Sequence, residues 1–122
     1  MYTGFRVNGI YKRNDVINYP IQGAAFHCLL WCLIKINKWL KKNKMKSKII
    51  GEIHDSLIMS IHPAELQDVL TYCRHVMTVE LRKHWPWIIV PIDTETEVGP
   101  IDANWMTVKE WVATNDVWAL KV

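Results

Sequence analysis

"KIIGEIHDSLIMSIH", residues 48 to 62, is the stretch on which the fold turns. It holds two short apolar runs, Ile49 to Ile53 and Leu57 to Ile61, separated by His54, Asp55 and Ser56. Their length and isoleucine content predict two strands with a tight reversal between them. A His-Asp tip lacks the usual Asn-Gly turn chemistry, which hints that these side chains are kept for another reason. A carboxylate exposed at such a tip suits Mg²⁺, which favours one or two carboxylates plus substrate phosphates. Asp is also a common turn residue, and spacing alone points first to that plainer role.

Upstream of this hairpin lies "NYPIQGAAFH", residues 18 to 27. Pro20 suits a first helical position, where its missing N–H is no loss, and the helical pattern then runs to about Asn43. Ile21, Ala24, Ala25, Cys28, Leu29, Leu30 and Leu33 make its first part apolar nearly all round, as in a central helix. Gln22 and His27 are out of place there, because a buried amide without partners costs about 1–3 kcal/mol. Asn14, Asn18 and Gln22 are spaced by four and share one face around the helix entry. Amides both donate and accept, so they can bond the minor-groove acceptors that every base pair presents. Capping and turn duty accounts for the two asparagines but not for Gln22.

The remaining segments extend the pattern in both directions. Asn8-Gly9 within "FRVNGIYK", residues 5 to 12, predicts a hairpin. Pro63 and Glu65 start a helix carrying Leu66, Val69, Leu70, Cys73, Val76 and Met77 at helical spacing to about Lys83, where "HWPW" breaks it. Ile88 to Thr96 reads as a strand stopped by Gly99-Pro100, and Thr107 begins a short amphipathic helix with Val108, Trp111, Val112 and Trp118. The order predicts an α+β domain with helices packed on one face of an antiparallel sheet.

At 122 residues the chain fits one domain, and 50% apolar residues with seven Trp exclude a disordered segment. So much aromatic surface in a small core suggests that some of it meets a partner. The net charge of +3 is mild, and the Lys35 to Lys48 cluster reads as a solvated helix end that also permits nucleic acid. Three Cys without a framework suggest a reducing compartment. Cys28, Cys32 and Cys73 sit among Leu and Trp and read as core. "MYTGFRVNGI" has no leader pattern and the longest apolar stretch ends at Lys35, so no membrane segment and a cytoplasmic location are expected.

Three motifs in order carry a resemblance. "INYPIQGAA", residues 17 to 25, resembles the "IN-x-P-x-QG" segment of family A DNA polymerases, the DNA polymerase I-like group, and its "NYP" form looks like the phage members. "IHDSL", residues 53 to 57, resembles that family's motif C, a His-Asp-Glu turn between two palm strands, and the 32-residue gap from Gln22 to His54 fits the family spacing. "EVGPIDANW", residues 97 to 105, is similar to the family's C-terminal strand and Asn-Trp.

The resemblance implies that Asp55 is one of the palm's two metal-binding aspartates, with Mg²⁺ as cofactor. It implies that His54 contacts the terminal primer nucleotide, and that Gln22 and Asn18 face the primer-template minor groove, which would satisfy the polar groups of the helix. His27 stands where the family often has Asp, and bonding to a neighbouring backbone group would account for it. Ser56 replaces the motif's Glu, so a third acidic group is absent. Asn14 falls where cellular relatives often carry Arg, with Arg13 one place off, which opens that phosphate contact to either residue.

On this reading residues 1–106 are a palm segment carrying both motifs, and 107–122 form a helical extension that docks on another chain. The family's first catalytic aspartate, its fingers and its thumb would lie upstream of Met1. The expectation is the C-terminal palm subunit of a split phage-type polymerase in the host cytoplasm, inactive alone. A larger polymerase chain would complete the site for primer-template DNA and deoxynucleoside triphosphate, through apolar surface including Trp31, Trp39, Trp111 or Trp118. Rival readings are a non-catalytic palm remnant that binds DNA or regulates a polymerase, and a metalloprotein using His27, Cys28, Cys32 and Cys73.

Overall fold

A computed structural model of the chain describes residues 3–115 and 117–121. Met1, Tyr2, Asp116 and Val122 lie outside that description, and with them parts of both expected segments, 1–106 and 107–122.

The long helix, α1 (Arg13–Lys42), begins before Pro20 rather than at it. Pro20 is inside the helix, so the Val16 carbonyl receives no main-chain donor from it. At the other end, Lys44 takes φ 52°. Its N–H donates to Lys41 O at 3.1 Å, and Met45 N–H donates to Leu40 O at 3.0 Å. That is a Schellman closure with lysine where glycine is usual.

Cys32, Ile36 and Leu40 form the buried stripe of α1, each four residues from the last. They pack on Val69, Val76 and Leu81 of the second helical run. That run is a 3-10 turn (Pro63–Glu65), α2 (Leu66–His75), a π turn (Val76–Glu80) and α3 (Leu81–His84), within a residue of the expected end. Ile36, Val69 and Val76 are fully buried. Each such burial contributes about 1.5–3 kcal/mol.

Strands β1 (Lys48–Ile53) and β2 (Ser56–Ser60) pair antiparallel as expected, closing at Ile53 opposite Ser56. A register shift between Ile49 and Gly51 leaves Ile50 as a bulge. Ile49, Leu57, Met59 and Ile61 lie against the core. The chain between α1 and β1 is fixed by Glu65, whose carboxylate accepts from Lys46 N–H (2.8 Å), Ser47 N–H (2.9 Å) and the Ser47 hydroxyl. The Ser47 hydroxyl in turn accepts from His62 N–H at 3.0 Å. These bonds, the Ser47 hydroxyl first, hold the Glu65 carboxyl below its ordinary pKa.

The other strands, β3 (Thr96–Val98), β4 (Lys109–Thr114) and β5 (Val117–Leu120), form a second antiparallel sheet in the order β3-β4-β5. Trp118 anchors it. Its N–H donates to Gln67 Oε1 at 2.7 Å, its carbonyl accepts from Gln67 Nε2 at 2.8 Å, and its indole N–H donates to Thr71 at 3.1 Å. At Gly99, just past β3, a Cβ would lie 3.1 Å from Ala103 Cβ and 3.3 Å from Val108 Cγ1, so a side chain there would press these neighbours aside by a few tenths of an ångström.

The α+β class holds, with the strands in two small sheets instead of one. Three local expectations fail. Residues 5–12 form no hairpin: Gly9 takes φ 148° without Asn8 joining it, and the Tyr11 hydroxyl donates to Asn8 O. Phe5 instead packs on the His27 ring, centroids 4.4 Å apart. The strand expected over residues 88–96 pairs only from Thr96, because Pro91 has no N–H and the Asp93 carboxylate takes the Thr94 N–H at 2.8 Å. Beyond Thr107 there is a hairpin, not a helix; Trp111, Val112, Val117 and Trp118 are strand-prone, and Asn115 opens the turn at φ 50°.

Two further corrections concern α1. It is long and apolar enough, by length and composition, to cross a bilayer, where a shorter apolar stretch was expected. Its buried stripe serves the protein core, and Arg13, Asn14, Asp15, Asn18 and Gln22 would be costly in hydrocarbon. It is also not surrounded: Phe26, Leu30 and Ile34 are exposed on the side opposite the Cys32–Ile36–Leu40 stripe.

Gln67→Ala removes both side-chain bonds to Trp118 and is expected to destabilise the fold by about 1–3 kcal/mol in urea unfolding, with proteolysis concentrated in residues 109–121. Because the Glu65 carboxyl is depressed in the fold, its contribution is complete above its unfolded value near 4.5 and is lost as pH falls through the lower folded value. The stability gap between the natural protein and Glu65→Gln should therefore be open at pH 7 and close in acid, as read from unfolding midpoints across pH.

Candidate nucleic-acid and metal-binding site

The β1–β2 hairpin is joined by two residues, His54 and Asp55, both exposed. His54 takes φ 56° and Asp55 does not take a positive φ. In a two-residue loop the first position is one that glycine or asparagine normally fills. A histidine held there costs about 1–3 kcal/mol of local strain. The strain is sustained by the pairing below it and by the core beneath Leu57 and Met59. Asp55, the second residue of the tip, is exposed beyond the paired strands.

On α1, Asn14, Asn18 and Gln22 occupy the first third of the helix, all exposed. Positions i, i+4 and i+8 span about 80° of rotation and about 12 Å of axis, so the three amides form a stripe. The helix cap is Lys12, so neither asparagine has the capping role. Among the described residues none of the three amides bonds another group of the chain, and their donors and acceptors face solvent. Arg13 is the first residue of the helix, adjacent to Asn14. The amide stripe and the His54-Asp55 tip lie on separate elements that pack together through α1.

His27 is held by a partner that sequence reasoning missed: the Thr3 hydroxyl lies 2.9 Å from its Nδ1, and Phe5 covers its ring. Among the described residues no backbone group takes that role. A cavity of about 250 Å³ between Phe5, Val7, Tyr19, Gly23 and His27 marks where the N-terminal segment lies on α1. No spacing rule links Thr3 to His27.

The cysteines are core groups. Burial pushes Cys32 and Cys73 up to about 12 and raises Cys28, so all three are thiols at neutral pH, whereas metals bind the thiolate. Cys73 Sγ lies 3.7 Å from Met59 Sδ. Among the described residues no group of three His, Cys, Asp or Glu side chains could hold a metal. Of the basic cluster, Lys35 is engaged at 2.9 Å by Glu80 and lies 5.0 Å from the Trp31 ring centroid. The tryptophans expected at a partner surface are largely used internally: Trp118 is buried, Trp39 stacks on Tyr72 at 4.1 Å and Trp31 on His84 at 4.8 Å.

The family model "DNA polymerase family A" matches residues 7–107, a span that includes the amide stripe, the hairpin tip and β3. The chain belongs to DNA polymerase family A. It is 34% identical over 88 residues to the DNA polymerase of Bacillus phage SP01, covering 70% of this chain and 10% of that protein. It is 30% identical over 95 residues to DNA polymerase I of Lactococcus lactis subsp. cremoris, covering 78% and 10%. With DNA polymerase I of Caldicellulosiruptor bescii it shares 31% over 99 residues, covering 81% and 11%. The chain thus matches about a tenth of the length of these curated relatives. No solved structure matches it.

His54→Gly relieves the left-handed position without touching the core. It is expected to raise stability by up to about 1 kcal/mol in urea unfolding. A loss of stability would show that the imidazole is structural.

Proposed function

We propose that this chain is the C-terminal palm subunit of a split family A DNA polymerase, working in DNA replication in the cytoplasm of a phage-infected host. A larger polypeptide supplies the second aspartate, the fingers and the thumb. The observation that carries this reading is Asp55, exposed beside a strained His54 at a two-residue tip within the family match.

In this role Asp55 holds Mg²⁺ together with a carboxylate of the larger polypeptide and the triphosphate. One exposed carboxylate fits a cation that takes one or two carboxylates plus phosphates, but does not suffice alone. With Mg²⁺ bound, Asp55 would help hold cations that supply charge stabilisation for nucleotidyl transfer. His54 positions the terminal primer nucleotide. Gln22 and Asn18 donate to minor-groove acceptors, which report duplex shape without reading sequence, and Asn14 or Arg13 meets the phosphate backbone. The free amides of α1 support this assignment. The exposed row of Phe26, Leu30 and Ile34 supports assembly, since a helix apolar on two opposite sides is suited to burial on both.

The test begins with the tagged chain recovered from the cells that produce it, as a complex with one larger polypeptide, and assayed by primer extension. Asp55→Asn in that complex is expected to lower extension about a thousandfold or more while leaving primer-template affinity nearly unchanged. Extension retained by Asp55→Asn would overturn the catalytic reading and favour a non-catalytic palm remnant.

A further inference from the structure

The three-stranded sheet has two edges, and they are finished differently. At β5, Gln67 takes both main-chain groups of Trp118, so α2 covers that edge at Trp118. At β3 the direction of the main-chain groups follows from the pairing. The Glu110 carbonyl accepts from Lys121 N–H at 2.9 Å, so Glu110 faces β5 and its neighbours Lys109 and Trp111 face β3. Their register partners, Val98 and Thr96, turn their main-chain groups into the sheet, and Glu97 turns its own outward. Burial alternates strictly from Ile92 to Val98, so the chain stays extended and Glu95 faces the same way as Glu97. Among the described residues no group bonds the outward N–H or C=O of either.

Charge narrows what can pair there. Glu97 lies directly opposite Glu110, a like-charge pair that destabilises a sheet unless countered. Lys121 counters Glu110 from the β5 side, at 2.9 and 3.0 Å. On the other side Glu97 has no ion-pair partner among the described residues. Glu95 and Glu97 are exposed along this edge; Asp93, also exposed, is already paired with Arg74 at 3.2 Å, and Glu95 lies within electrostatic reach of Lys121. A nucleic-acid backbone would be repelled. A second copy pairing edge to edge would set the same carboxylates against each other.

We propose that the outer edge of β3, at Glu95 and Glu97, accepts one β-strand of the larger polymerase polypeptide, with a lysine or arginine opposite Glu97. The inference rests on the split-polymerase reading above and adds where and how the two polypeptides join. Across the extended sheet the charges would then run cation, Glu97, Glu110, Lys121, with each carboxylate beside a cation.

The probe is the one larger polypeptide that co-purifies with the chain, separated and mixed again with the full 122-residue chain. Amide exchange is read residue by residue. The Glu95 and Glu97 amides should exchange freely in the chain alone and slow by about tenfold or more in the mixture. Glu97→Lys should weaken the association by about tenfold while Thr96 and Val98 keep their protection, showing that the sheet still forms. A complex that extends primers yet leaves Glu95 and Glu97 exchanging freely would overturn this inference and spare the polymerase reading. A folded chain that forms no complex with the probe counts against that reading and removes the strand's source with it.

Discussion

The packing of Cys32, Ile36 and Leu40 against Val69, Val76 and Leu81 is the contact on which the rest of the structure depends. It fixes the second helical run on α1, and the β1–β2 hairpin then lies over the seam through Ile49, Leu57, Met59 and Ile61. A two-stranded sheet alone is marginal in water. The hairpin is therefore ordered by its underlying core, and the Glu65 bonds to Lys46 and Ser47 hold its first strand at the point of entry. Only on such a base can His54 be kept in a left-handed conformation that its own propensity disfavours.

The hairpin, the long helix and the helix from Pro63 were legible because each is decided by local pattern: isoleucine runs with a break, and apolar residues at helical spacing. Where the reading failed, a non-local contact decided. Asn8-Gly9 is a sound turn signal, but Phe5 packs on His27 and the segment forms no hairpin. The segment after Thr107 fits a helix by its Val108, Trp111 and Val112 spacing. Trp118 settles the matter by finding Gln67 and Thr71 on α2, more than forty-five residues away. No window of sequence contains that contact. Pro20 misled in a different way: a proline that suits a helix start sits here inside α1, where it removes one main-chain bond and its ring crowds the Val16 carbonyl.

The candidate site divides along the same line. Its residue types and spacing, Gln22 with His54 and Asp55, were visible in the sequence because chemistry at a surface leaves polar groups where packing would not. Their local consequences became visible only in three dimensions. The His-Asp tip looked unusual for its lack of glycine, and the φ of 56° at His54 is the physical form of that anomaly. The three amides, spaced by four, read as one face around the helix entry, with capping as the plainer role for the two asparagines. The start of α1 at Arg13 makes them one exposed row.

That row and the apolar side of α1 are best understood together. A helix with a buried stripe, an opposite exposed row of Phe26, Leu30 and Ile34, and bare amides at its entry presents three chemically different surfaces. Only the buried stripe is used by the described chain. Leaving so many large apolar side chains in water weakens solubility without adding stability. The arrangement makes physical sense if apolar protein covers one of the remaining surfaces and a polar groove of nucleic acid meets the other. The same argument applies to the tip: in the proposed assembly Asp55 would be half of a divalent-cation site, and Glu97, with no ion-pair partner among the described residues, would be half of a cross-strand pair. Each would be balanced by the same addition, the proposed second polypeptide bringing a carboxylate to one and a cation to the other.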